Sequence, residues 1–168
     1  SVSGYLELSR AASDIDVDSV SGDVKLDAPN PNLAASAHVQ TVSGEIRAKG
    51  LAGRIKLETV SGGMDCACGA VRELNTGSVS GDADIAVAPE ASARLHLESM
   101  SGSIRLHLPA ALSARIDAAT FSGSIHSDFG AVQEKEYGPG SSLKAQIGAG
   151  DADISVQAFS GDIQIRRH

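Results

Sequence analysis

Apolar and polar residues alternate along this chain in short segments, and the segments restart about every twenty residues. Each segment contains Ser or Thr (Ala in the final copy), then an apolar residue, then Ser-Gly. Successive motif glycines are separated by 18, 22, 18, 19, 21, 21 and 38 residues. Repetition at a fixed short period is the sequence signature of a stacked repeat fold. The eight motif glycines are Gly4, Gly22, Gly44, Gly62, Gly81, Gly102, Gly123 and Gly161.

Alignment on the glycine predicts which positions face the interior. Apolar residues stand two and four places after the glycine, and seven and five places before it, with polar residues between them. This period of two indicates strands with one buried face. The position two before the glycine is also apolar, so we expect it to be buried as well. Its residues are Val2, Val20, Val42, Val60, Val79, Met100, Phe121 and Phe159.

The spacing of these apolar positions predicts a corner in each repeat. From five before the glycine to two before it is three steps, so the alternation slips there and the chain must turn or bulge. Serine and threonine at this corner can form local hydrogen bonds. If the glycine has positive φ, Gly81→Val should destabilise the chain more than Asp82→Ala.

Equivalent strands recur every twenty residues or so, which favours stacked parallel coils over hairpins, whose strands are joined by two to five residues. The fold predicted is an all-β, right-handed parallel β-solenoid of about eight or nine coils of roughly 18–22 residues. We expect a single domain, 1–168, with an irregular insertion at about 127–148. Within it we expect a short helical turn over 130–136 and a loop over 137–142. The 38-residue interval indicates a coil that has lost its motif.

Composition narrows the function classes. The formal net charge is −7, and no run of basic residues is present, so nucleic-acid binding is not expected. No apolar stretch is long enough for a membrane span. Aromatic residues make up only 3% of the 168 residues, which suits a thin aliphatic core. Ser1 already lies inside a motif copy, so we expect this chain to be trimmed from a longer protein.

The two cysteines, Cys66 and Cys68, lie two residues apart on a predicted strand. In a regular strand their Cα atoms would be roughly 6.5–7 Å apart, a poor distance for a disulfide. We therefore expect small core residues; a metal or redox pair is the alternative.

The repeated Ser/Thr-Val-Ser-Gly-Asp-Ile motif resembles a bacterial family of domains of unknown function that carry the label adhesin. The resemblance covers essentially the whole chain, including the final Phe159–Ser160–Gly161–Asp162–Ile163. It implies a β-helix-like fold and an extracytoplasmic location, in the periplasm or at the cell surface. It supplies no catalytic or binding residues that could be transferred to this chain.

Outward-facing carboxylates are further candidates for chemistry. Asp82 with Asp84, and Asp151 with Asp153, each share one strand face and are weak candidates for surface binding. Asp14, Asp16 and Asp18 form a third such set. Carboxylate pairs can serve as acid and base or bind Ca²⁺. Because all three sets lie within the repeat, we interpret them as solvated strand faces and expect no catalytic site, cofactor or metal.

Histidines give no metal site either. His38 and His96 share a position in the repeat, but they lie about three coils apart and cannot bind one ion.

Three functions are compatible with the sequence. The first is a non-enzymatic envelope or surface module that binds a protein or glycan. The second is a solenoid that stacks end to end through its open coil edges into filaments. The third and least favoured is a β-helix enzyme acting on polysaccharides.

Overall fold

The computed structural model describes residues 5–8, 14–27, 35–129, 133–134 and 140–167. These residues form fifteen β-strands and contain no helix. The strands are β1 Leu6–Leu8, β2 Asp14–Ser21, β3 Val24–Asp27, β4 Ala35–Ser43, β5 Ile46–Lys49, β6 Gly53–Ser61, β7 Met64–Ser80, β8 Ala83–Ser101, β9 Ile104–Leu108, β10 Ala114–Ser122, β11 Ile125–Ser127, β12 Gln133–Glu134, β13 Ser141–Ile147, β14 Ala152–Ser160 and β15 Ile163–Arg167.

The strands form two parallel stacks that meet at the Ser-Gly motif. Strands before the motif pair with strands before the next motif, as Val17 with Val39 and Val39 with Leu57 show. Strands after the motif pair likewise, from β1 through β3 and β5 into the first half of β7. The predicted parallel β-solenoid is confirmed. The stack of strands after the motif contains eight layers.

Four of the predicted core columns are confirmed. Side chains two and four places after the glycine point inward, as do those seven and five places before it, and most are fully buried. The four confirmed columns contribute at most four inward side chains to each layer, and each fully buried aliphatic one contributes about 1.5–3 kcal/mol. Since ordering a residue costs about 1–2 kcal/mol, a coil is stable only between its neighbours.

The fifth predicted core column is wrong. The apolar residues two before the glycine lie on the outside, with Val20, Met100 and Phe159 between 52% and 58% exposed. The Ser/Thr three before the glycine points inward instead, so the inward positions run seven, five and three without a slip. The hydrophobic pattern gave a wrong prediction at this position because the repeat places hydroxyl groups inside and large apolar groups outside. The buried hydroxyl residues of this column, among those described, are Ser19, Thr41, Thr59, Ser78, Ser99 and Thr120.

The corner therefore lies at the motif glycine itself and not before it. Every described motif glycine has φ between 130° and 150°, a region that residues with a Cβ rarely adopt. A Cβ on Gly81 would overlap the carbonyl oxygen of Gly62, one layer away. The Gly81 amide also donates to the carbonyl of Ser101, 3.1 Å away in the next layer. The backbones of neighbouring corners thus stack directly on one another.

The last coil is not at the end of the stack. β14 pairs with β8 on one side and with β10 on the other, and β15 lies between β9 and β11. Ile154, for example, is in register with both Leu95 and Ile116. The expectation that a coil had lost its motif within the 38-residue interval is wrong, because the chain inserts residues 152–167 between two earlier coils.

The segment 127–148 provides the route for this insertion. β13 pairs antiparallel with one edge of β10, and β14 pairs with the other edge, so β10 lies between them. Residues 148–151 pass around the start of β10, where the Gly150 amide donates to Ser113 Oγ at 3.1 Å. Of the expected loop over 137–142, Ser141 and Ser142 belong to β13, and 137–139 lie outside the described residues. In the expected helical turn, Gln133–Glu134 form strand β12, and the rest of 130–136 lies outside the described residues.

The cysteines are buried, as expected, but they are also bonded to each other. The Cα atoms of Cys66 and Cys68 are 5.6 Å apart and the sulfur atoms form a disulfide. The pairing of β7 with β8 shifts register between Ala67 and Ala70. A regular strand would separate these Cα atoms by roughly 6.5–7 Å. The local shortening brings them within the range of a disulfide, which the sequence argument rejected.

Two glycines of β7 and its corner make a matched pair for testing the stacked corners. Gly81→Val should lower the free energy of unfolding by about 3 kcal/mol or more, because it adds strain and overlap. Gly77→Ala should change it by less than about 1 kcal/mol, since a Cβ there meets nothing closer than 3.9 Å. Asp82→Ala should fall between them. Urea unfolding measures all three, and equal losses for the two glycine variants would contradict the corner geometry.

Candidate binding surface

Seven apolar side chains form a continuous column on the outside of the solenoid. This apolar ladder consists of the residues two before each described motif glycine, and each of these seven is 45–58% exposed. Phe121 and Phe159 stack with ring centroids 5.0 Å apart and an interplanar angle of 6°. A contiguous exposed apolar surface is uncommon on soluble proteins and usually marks an interaction site. In spatial order the ladder is Val20, Val42, Val60, Val79, Met100, Phe159 and Phe121.

A groove of about 720 Å³ runs alongside the ladder. Its floor is the strand at the buried Ser/Thr column, and its walls are the side chains on either side of that column. The apolar ladder forms one wall, from Val60 to Phe121. The other wall, here called the rim, consists of residues four before each glycine. The rim residues that line the groove are Gln40, Glu58, Gly77, Glu98, Gln157 and Ala119.

The groove is apolar on one side and acidic on the other. Glu58 and Glu98 are the only charged residues that line it within the part of the chain that the structure describes. Each carboxylate has one intrachain partner on its own strand. Lys56 Nζ lies 3.1 Å from Glu58 Oε1, and His96 Nε2 lies 2.8 Å from Glu98 Oε1. Among the described residues, no partner contacts the second oxygen of either carboxylate.

Gly77 interrupts the rim between the two carboxylates. It is in register with Glu58 on one side and with Glu98 on the other. Two layers separate the glutamates, which corresponds to roughly 9–10 Å along the solenoid axis. Gly77 is not among the positive-φ glycines and a Cβ would fit there, so the fold does not require glycine at this position. The result is an open notch in the rim.

Beneath the groove, four of the buried hydroxyl groups have no hydrogen-bond partner among the described residues. They belong to Thr41, Thr59, Ser78 and Ser99. Thr120 Oγ1 donates to the Gly161 carbonyl at 3.1 Å, which is a bond to the corner of the neighbouring layer and not the local bond expected from the sequence. These hydroxyls point into the core and are not accessible from the groove.

The Asp that follows the motif glycine has a structural role. Asp82 Oδ1 accepts the Ser103 amide at 2.9 Å, and Asp23 Oδ1 accepts the Glu45 amide at 3.0 Å. Asp162 does the same for Ser124, whose amide and hydroxyl both donate to Oδ1, at 2.9 and 2.8 Å. Each Asp thus caps a corner amide one layer away. These bonds lower the pKa of Asp162, with the backbone bond the larger cause.

The other carboxylates proposed from the sequence do not converge on one site. Asp84 Oδ1 lies 3.3 Å from His107 Nε2. Asp151 Oδ2 accepts the Ser113 hydroxyl at 3.0 Å and holds the crossing loop. Asp153 lies in register between Arg94 and Arg115. The pair at 82 and 84 lies after a corner, whereas 151 and 153 lie at the start of a strand before one.

A small cluster on the first described coils brings together three possible metal ligands. One ligand atom each from Asp16, Asp18 and His38 lie within 4.8 Å of one another, at side chains that are exposed or half-buried. Lys56 is in register with His38 and brings a positive charge beside them. His38 and His96 are three layers apart, as expected, with Lys56 and Asn75 between them in the column.

Comparison with known proteins identifies the family from the whole repeat. The Toastrack family DUF4097, a domain family of unknown function, matches residues 1–166. The chain belongs to the Toastrack family. Toastrack domains have a solenoid-like repeat fold, which agrees with the parallel stack described above. No curated protein and no solved structure matches this Toastrack chain. None of its described residues form a helix long and apolar enough to cross a membrane.

Sequence reasoning found the residues of the apolar ladder but placed them in the core, and it missed the groove. The useful signal was present in the chain. Reading Ser or Thr as the third inward position keeps the alternation unbroken, which leaves Val79 and its equivalents outside. Gly77, the one glycine in the rim, was also visible in the alignment.

The capping bond of Asp162 predicts a pH dependence. A lowered pKa in the folded state means that this bond's contribution is present above the ordinary value of 3.8 and is lost as the pH falls below it. Asp162→Asn keeps an acceptor oxygen but cannot titrate, so its stability should fall less steeply between about pH 5 and pH 2. Urea unfolding across that range measures the slope. Asp65→Asn, which removes a carboxylate that has no donor among the described residues, is the control for the loss of one negative charge. A change of slope as large as that of Asp162→Asn would contradict the role of the capping bond.

Proposed function

We propose that this Toastrack chain is a non-enzymatic binding module of the cell envelope, and that the apolar ladder and its groove dock a protein partner. The observation that carries the proposal is the ladder itself. Seven successive layers expose a Val, Met or Phe at one position, while the structure buries a polar hydroxyl beside it. Because burying the apolar group in place of the hydroxyl would stabilise the core, the outward placement costs stability and favours a role in binding.

The geometry favours a protein over a glycan. A sugar that packs on an aromatic side chain needs an open ring face. Phe121 and Phe159 stack parallel along the column, so two of their four faces cover each other and ring edges point outward. Met100 and the valines add only aliphatic surface. Apolar side chains of a polypeptide fit such a ridge, and buried apolar centres with polar rims are typical of protein interfaces.

The alternatives have less support. Strand β13 covers β10 in antiparallel orientation at one end of the stack, which removes an edge that end-to-end filaments would use. The carboxylates considered for polysaccharide chemistry are separated, and Asp82 and Asp151 serve as hydrogen-bond acceptors within the fold. A second copy of the chain is disfavoured as the partner because it carries the same formal charge of −7.

The Cys66–Cys68 disulfide supports an extracytoplasmic location. Disulfides persist in oxidising compartments and are rare in the cytosol. The adhesin label of the family described in the sequence analysis agrees with this location. The apolar ladder supports the binding of a protein partner.

The docking surface can be tested with one substitution at two places in the ladder. Val79 lines the groove and Val20 lies in the same column outside it. A photo-crosslinking side chain at position 79 should capture the partner in native cells, and mass spectrometry identifies it. With that partner purified, Val79→Glu should raise the dissociation constant at least about tenfold, because a charge would be buried at the interface. Val20→Glu should change it less than about threefold. Equal effects, or none at Val79, would contradict the proposal.

The compartment is tested by labelling thiols in intact cells. Cells are quenched with a thiol-blocking maleimide under denaturing conditions, and the chain's mass is then measured. In an oxidising compartment the chain should take up no maleimide label on Cys66 and Cys68. After prior treatment with reductant it should take up two labels. Uptake of two labels without reductant would place the chain in a reducing compartment.

A further inference from the structure

We infer that the notch at Gly77 is a subsite for an arginine side chain of the partner, held between Glu58 and Glu98. This inference rests on the proposed function, since it assigns the chemistry of what enters the groove. It explains why the rim has no side chain at the one layer that lies between the two glutamates. The neighbouring rim positions carry Gln40, Glu58, Glu98 and Gln157, which are all long side chains.

The notch is a feature of the side chains and not of the backbone. The motif glycines sit at positive φ and tolerate no Cβ, but Gly77 has neither property, and the nearest atom to an added Cβ is Glu58 Cγ at 3.9 Å. The fold would accept Ala or Gln there, as it accepts Gln40 and Gln157 in the same column. Glycine at this layer therefore leaves space that the fold does not use.

The charges around the notch match a cation. Glu58 and Glu98 flank Gly77 in register, one layer to either side. Lys56 and His96 engage only the Oε1 oxygen of each carboxylate. The Oε2 oxygens are without a partner among the described residues. None of the described residues that line the groove is a Lys, Arg or His that could compete for them.

The surroundings favour arginine over lysine. Across from the notch the wall is apolar, formed by Val79 and Met100. A guanidinium is more weakly hydrated than an ammonium group and offers five N–H donors in a plane, so it can donate to carboxylates on two sides. Its aliphatic stem can pack along the apolar wall. Arginine is also enriched at the centres of protein interfaces.

A double-mutant cycle tests the subsite with the 168-residue chain. The probe is a blocked peptide, Gly-Leu-Leu-Arg-Leu-Leu-Gly, and its analogue has citrulline, the neutral near-isostere of arginine. For the unaltered chain, replacing arginine by citrulline should raise the dissociation constant about tenfold. A hydrogen bond between charged groups contributes more binding free energy than one from a neutral donor. In Glu58→Gln/Glu98→Gln the same peptide change should matter less than about twofold, because the two changes remove one interaction. Calorimetry measures all four affinities.

A second variant tests the space itself. Gly77→Gln fills the notch with a side chain that the column already carries at two other layers. It should raise the dissociation constant of the arginine peptide about tenfold and that of the citrulline peptide less than about threefold. Controls outside the groove are Glu73→Gln, which removes one charge, and Ser155→Gln, which adds the same bulk. Both should leave both affinities unchanged, and urea unfolding checks that every variant is folded.

The outcomes separate this inference from the proposed function. If the two peptides bind the unaltered chain equally, or the arginine peptide does not bind, the arginine subsite is wrong. If in that case Val79→Glu still weakens the binding of the purified partner that crosslinking identified, the docking surface stands without the notch. If the glutamine variants lose the arginine preference but Val79→Glu changes no affinity, the subsite stands and the apolar ladder is not the docking surface.

Discussion

Direct contact between the backbones of successive corners is the constraint on which this structure depends. At each layer the chain must turn in a space bounded by the glycine above and the glycine below, and a Cβ would overlap the carbonyl oxygen of the neighbouring layer. This contact fixes the vertical alignment of all layers. With the corners aligned, every inward residue lies over its equivalent, and the Asp after the glycine reaches the corner amide of the next layer. The motif Ser-Gly-Asp is therefore a single stacking device.

The same alignment that builds the core also builds the outer surface. Because layers repeat at about 4.8 Å, any residue type favoured at an outward position becomes a continuous stripe. The apolar ladder is such a stripe. The rim beside it is mostly polar and carries two carboxylates along the groove, and a local departure within it, Gly77, becomes a distinct site. In such a fold a repeated outward residue builds an extended surface, and a departure from the repeat marks one place on that surface.

The fold class followed from the sequence because spacing alone specifies a solenoid, and the columns occupied by Ile15, Val24 and Ile46 were assigned correctly. The failures have separate physical causes. The ladder was misplaced because Thr59 and its equivalents are buried hydroxyls, an inversion of the usual preference. The position of residues 152–167 was missed because all motif copies are alike, so Ile154 fits between Leu95 and Ile116 as well as it would fit at an end. The disulfide was missed because it depends on a local shift in strand register that no residue pattern announces.

The placement of the final coil also bears on how the chain is made. During synthesis, β10 and β11 leave the ribosome well before β14 and β15, yet in the finished molecule they contact β14 and β15 rather than the strands that precede them. Layer-by-layer growth from the N-terminus can thus proceed only as far as β9. Residues 114–127 must then wait, or first stack on β8 and β9 and later be displaced, until the C-terminal residues emerge. A protein whose repeats look interchangeable is in this way obliged to finish translation before its last third can reach the native order.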